Sequence, residues 1–206
     1  MFRKPDAKRQ LFAWPKPNKV SQAFLRQERR DSGFTLIESA LATVIVGTGV
    51  LAIVAAQQAY HYKNDWAQRT GTAMLLANEL RELTLTLPMH DPISGTQDLG
   101  PEANEVDISD YDDLDDFAGV VSQGKGAGIT FKPPINALRQ EVADLSGWSQ
   151  QIEVFNVLAD NISVGDALTL PLGTTNMMRV NVTVYYESPQ NTSRMTLAQL
   201  TWVVGQ

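Results

Sequence analysis

The sequence predicts an α+β protein in which a long N-terminal helix packs on a C-terminal antiparallel β-sheet. Three features carry that expectation. Ser39 to Tyr60 gives 22 consecutive positions without a formal charge. Helical spacing of apolar residues continues beyond it to Leu87, and period-two alternation takes over from Val180. At 206 residues the chain has room for one head domain plus an anchor, since domains usually run to about 100 to 150 residues.

Charge divides the chain before any element is assigned. The first 33 residues carry nine Lys/Arg against three Asp/Glu, and the rest carries eight against twenty. A nucleic-acid arm is one reading of the basic stretch from Arg3 and Lys4 to Arg29 and Arg30. An apolar run follows almost at once, so retention in the cytosol by the positive-inside rule accounts for the charge better. The acidic remainder argues against DNA or anionic lipid as its main partner. There is no cysteine, so any folded region must do without disulfides.

The uncharged run includes Leu41, Val44, Ile45, Val46, Val50, Leu51, Ile53 and Val54, and its length suffices for a bilayer core, which needs about 20 helical residues. A buried helix of a soluble protein would carry a polar stripe, whereas this run is apolar or small on every side. A cleaved secretory signal would have an apolar region of about 7 to 15 residues, shorter than this one. Glu38 is the only formal charge between Asp31 and Lys63. A carboxylate inside a membrane helix costs on the order of 2.5 to 3.5 kcal/mol, so it normally has a partner, although its place near the end of the run would let it reach water or headgroups.

Gly33-Phe34-Thr35-Leu36-Ile37-Glu38, set between a basic leader and an apolar helix, resembles the processing site of type IV prepilins and type II secretion pseudopilins. The resemblance implies a pilin-like fold, with residues 1–33 as a leader peptide, 34–62 as the transmembrane half of the helix, 63–88 as its amphipathic half and 89–206 as a globular head. It implies cleavage after Gly33 by a prepilin peptidase and N-methylation of Phe34. Glu38 would meet the N-terminal amine of a neighbouring subunit. Within about 4 Å and poorly screened, such a pair gains far more than in water, and an acid in the first turn also suits the helix macrodipole. The implied location is the bacterial inner membrane as a single-pass protein with a periplasmic head, then the pilus or pseudopilus. The implied partners are other pilins or pseudopilins, the peptidase, the inner-membrane assembly platform and lipid around the helix, with no nucleic acid as primary partner. The leader is longer than in many prepilins, and the proline many carry in the membrane segment is absent. Gly47 and Gly49 are the nearest helix weakeners, each costing roughly 1 kcal/mol relative to Ala.

Beyond the run, Trp66, Ala73, Leu76, Leu80, Leu83 and Leu87 recur mainly at spacings of three and four, with Arg69, Asn78, Glu79 and Glu82 falling elsewhere. Pro88 is the expected stop, giving one helix from about Phe34 to Leu87. Met89 to Gly128 is rich in Pro, Gly, Asp and Ser and reads as an irregular connection. Inside it Asp110, Asp112, Asp113, Asp115 and Asp116 offer oxygen ligands of the kind calcium takes. The EF-hand pattern fails there, and a solvated acidic loop is the default expectation. The DDLDDF stretch also resembles one in minor pilins of the mannose-sensitive haemagglutinin type. Gly124-Lys125-Gly126-Ala127-Gly128 lacks the ending and the preceding strand of a phosphate loop, so a flexible turn is expected.

Val180, Val182, Val184 and Tyr186 fall on one strand face, and a second β-rich run follows from Met195 to Val204. The two form a hairpin with a longer loop over Ser188 to Ser193. Ile129 to Phe131 and Gln151 to Leu158 complete a sheet of about four strands.

Catalysis has little support: no cysteine nucleophile, no metal-ligand spacing at His61 and His90, and no serine in a nucleophile elbow. The expected function is structural, as a minor type IV pilin-like subunit that primes or joins a pilus. A minor pseudopilin of a type II secretion system is the alternative, and an acidic binding domain on a single membrane helix is a second.

Overall fold

The computed structural model describes residues 33–189 and 191–205, except 164 and 166–168. The expected leader therefore lies, apart from Gly33, outside the described residues. Among the described residues one α-helix, α1 (Leu36–Thr84), is followed by a 3-10 helix (Asp115–Ala118) and six strands. These are β1 (Val121–Ser122), β2 (Lys125–Gly126), β3 (Ile129–Phe131), β4 (Trp148–Asn156), β5 (Met177–Ser188) and β6 (Asn191–Gly205). The chain divides into two units between Val54 and Ala55.

In the second unit β3, β4, β5 and β6 form an antiparallel sheet in chain order, and β1 pairs with β2 in a separate ribbon. The expected helix over Phe34 to Leu87 is thus two residues shorter at its start and three at its end. Leu87 N–H instead donates to the Thr84 carbonyl in a terminal turn, which satisfies one of the last helical acceptors. The hairpin is tighter than its sequence suggested, because β5 and β6 pair as far as Ser188 opposite Asn191. Register shifts after Val184 and Glu187 absorb the extra residues as bulges, so the strands extend where a loop was expected.

The core lies between the C-terminal half of α1 and one face of this sheet. Ala73, Leu76, Ala77, Leu80 and Leu83 recur at three and four and are buried. They pack in one cluster with Ile152, Val154, Val180, Val182 and Val184, the alternate residues of β4 and β5. Each Leu, Ile or Val side chain among them taken fully out of water contributes roughly 1.5 to 3 kcal/mol. Trp66 was expected in the helical stripe but stays 41% exposed. Gln150 is fully buried at the centre of this packing: its Nε2 donates to the carbonyls of Leu76 at 2.8 Å and Ile135 at 3.1 Å, and its Oε1 accepts from Ile135 N–H at 2.8 Å.

Candidate functional site

Two segments concentrate the chemistry of this chain. The first is the start of α1. Thr35 precedes the first helical residue, and its Oγ1 accepts from Glu38 N–H at 3.3 Å while its carbonyl accepts from Ser39 N–H at 3.1 Å. Thr35 is therefore the N-cap, and Thr-Leu-Ile-Glu has the spacing of a capping box. Glu38 lies in the first turn, solvent-accessible and, among the described residues, without an ion pair. Phe34 is 78% exposed, and Leu36, Ile37, Leu41, Val44, Ile45, Val50 and Leu51 are exposed with it. Among the described residues α1 is the one helix long and apolar enough to cross a membrane, and none of its most apolar stretch is buried. An apolar surface that surrounds a helix on every side requires lipid or protein to cover it.

The second segment is the acidic one, and here the expected solvated loop is corrected. Asp113, Asp115 and Asp116 are buried; Asp110 and Asp112 are exposed. The cause lies in the apolar residues between them. Leu114 and Phe117 are fully buried in the core cluster, and in a 3-10 turn residues three apart share a face. Anchoring that face draws the neighbouring aspartates inside. Leu114 N–H donates to the Pro88 carbonyl and Gly128 N–H to the Ala118 carbonyl, which fixes the segment at both ends.

Once inside, the carboxylates take backbone donors. Asp113 Oδ1 accepts from the N–H groups of Asp115 and Asp116 at 2.8 and 3.1 Å. Asp116 Oδ2 accepts from those of Asp112 and Asp113 at 3.0 and 3.1 Å. Asp115 turns the other way, taking Gly100 N–H at 2.7 Å on Oδ1 and His90 Nδ1 on Oδ2. Asp110 caps a separate turn, its Oδ2 accepting from Asp107 N–H at 3.1 Å.

Two acids that charge counting passed over join the group. Glu102, Glu105 and Asp116 bring carboxylate oxygens within 4.8 Å of one another, and so do Asp112, Asp113 and Asp116. Glu105 Oε2 also accepts from Glu102 N–H at 2.9 Å. Burial pushes the Asp113 carboxyl up to about 7, with the Asp115 charge adding to it. Burial likewise pushes Asp116 up to about 8, reinforced by Asp113 and Glu105. A hydrogen bond with Glu105, then burial, raises Glu102 to about 7. Of the five aspartates that offer calcium ligands in the sequence, the segment brings together Asp112, Asp113 and Asp116, leaves out Asp110, and commits Asp115 to His90 and Gly100.

The glycine run is packed rather than open. Residues 123 and 124 turn β1 into β2, and a Cβ at Gly124 would lie 2.6 Å from Pro171 Cβ. Comparison with family models, with curated proteins and with solved structures finds no match to this chain.

Proposed function

We propose that this chain is a minor type IV pilin-like structural subunit, cleaved after Gly33, methylated on Phe34 and packed into or priming a filament through α1. The observation that carries the reading is the start of α1: an apolar surface with no cover begins directly after Gly33-Phe34 and holds one acid, Glu38, in its first turn. A helix uncovered on every side is suited first to lipid and then to the like helices of neighbouring subunits. In that setting Glu38 neutralises a neighbour's terminal amine, and the sheet of the second unit supports an outward-facing head. The head lies in the periplasm while the helix is in the inner membrane.

Intact-mass and N-terminal peptide analysis of protein from a host with an active prepilin peptidase tests it. The expected product begins with methylated Phe34, and Gly33→Ala slows or stops its formation. Recovery of uncleaved chain alone would overturn the reading.

A further inference from the structure

We propose that the buried acidic cluster around Asp116 is a divalent-cation site of the oxygen-rich kind that calcium occupies, with Asp116 as the carboxylate shared by two ligand sets, Asp112 and Asp113 on one side and Glu102 and Glu105 on the other. The proposal is independent of the filament reading, since it concerns the second unit alone.

Unpartnered buried oxygens carry it. Asp113 is 1% exposed and Asp116 fully buried, yet Asp113 Oδ2 and Asp116 Oδ1 have no hydrogen-bond partner. A buried polar atom without a partner is rare because its desolvation goes uncompensated, and for carboxylates the cost is larger still. Each aspartate uses one oxygen on two backbone N–H groups and leaves the other for something else. The described residues supply no Lys or Arg ion pair to these acids; Arg139, whose charge acts on Asp112, donates to the carbonyls of Ile108 and Ser109. Ionised carboxylates held this close require a positive charge between them, either a proton or a metal ion.

Geometry favours the metal. Calcium binds six to eight oxygens at about 2.3 to 2.6 Å, so two ligands of one ion lie at most about 5 Å apart. Each set of three acids, Glu102, Glu105 and Asp116 or Asp112, Asp113 and Asp116, falls within that limit at 4.8 Å, and Asp116 belongs to both. The donor set is oxygen alone, which suits a hard cation and not zinc or copper.

The test uses the full chain in detergent micelles, stripped with chelator and titrated with calcium chloride. Calorimetry is expected to show binding with a dissociation constant on the order of 10⁻⁴ to 10⁻³ M, the range of extracellular calcium modules, and the melting temperature to rise with calcium. Terbium offers a local readout. The Tyr111 ring packs edge-on against that of Phe117, the chain neighbour of Asp116, with ring centroids 5.5 Å apart. Bound terbium should emit on tyrosine excitation, and Tyr111→Phe should remove the emission while leaving the calcium-dependent melting shift. Asp116→Asn should abolish both responses, and Asp113→Asn or Glu105→Gln should weaken binding roughly tenfold or more, since affinity follows ligand charge. Asp98→Asn, at an exposed acid outside the cluster, should change neither. If Asp116→Asn fails to fold, the wild-type titration and Glu102→Gln, at a half-buried position, decide the matter. No heat of binding and no melting shift at millimolar calcium, or an undiminished response in a folded ligand variant, would overturn the proposal.

Discussion

Gln150 reaches from β4 to the carbonyl of Leu76 in the C-terminal half of α1, a 2.8 Å contact between residues 74 positions apart. Its remaining amide groups close on both backbone groups of Ile135, so one buried side chain joins helix, sheet and connecting loop. Leu76 keeps its helical partner without Gln150, but Ile135 N–H and C=O do not. Gln150→Leu should therefore cost about 1 to 3 kcal/mol, the penalty for orphaned buried backbone groups. Denaturant unfolding of the full chain in detergent measures this, with Gln97→Leu at an exposed position as the comparison. Equal midpoints for the two variants would show the Gln150 contacts to be replaceable.

Glu38 has two possible roles that one substitution separates. Its backbone N–H is held by the Thr35 hydroxyl, and a capping box accepts Glu or Gln at this position. Glu38→Gln preserves helix start and removes charge. In a filament-forming host it should insert into the membrane normally and co-purify poorly with filaments, as should Glu38→Ala. Normal incorporation of the Gln variant alone would reduce Glu38 to a helix cap.

Much of this fold was legible because hydrophobic spacing maps directly onto geometry. Val180, Val182 and Val184 fall on one strand face and are all buried, and Ala73, Leu76, Leu80 and Leu83 do the same on α1. Trp66 matched the helical spacing yet remains exposed, since spacing cannot tell where cover ends. The acidic segment misled for a different reason. Five aspartates outweigh Leu114 and Phe117 in any average, but those two residues, three apart, decide which way the turn faces. Glu102 and Glu105 lie eleven or more positions before Asp116, and only the folding of the connection brings them to it. The leader and its processing are read from sequence alone.

The cluster gives the metal-free protein a characteristic pH response. Asp113 and Asp116 have folded-state pKa values of about 7 and about 8, above the unfolded value near 3.9. The folded chain then binds more protons than the unfolded chain between those limits. This contribution to stability is fully present below the unfolded pKa and is lost as pH rises through the folded one. In chelator the melting temperature should fall as pH goes from about 5 to about 8. Calcium should restore most of the loss at the upper end, where the carboxylates are ionised. A melting temperature that rises with pH in chelator would show that other groups dominate.

Two glycines should respond in opposite directions to the same small change. Gly126 lies in β2 against the 3-10 segment, where an added Cβ would meet the Ala118 carbonyl oxygen at 2.4 Å and its Cβ at 2.5 Å. Ala118 cannot retreat easily, because it is fully buried and its carbonyl accepts from Gly128 N–H at 2.8 Å. Gly126→Ala should thus cost about 1 to 3 kcal/mol by overpacking. The displacement would also move the segment that carries Asp113 and Asp116. Gly71, by contrast, is an exposed position inside α1 with nothing within 4 Å of its added Cβ. Gly71→Ala should stabilise the helix by up to about 1 kcal/mol through lost backbone freedom in the unfolded chain. Thermal melts of both variants beside the wild type check the pair. A destabilising Gly71→Ala would point to close packing at that position by a neighbour, which detergent-solubilised monomer and assembled filament would then distinguish.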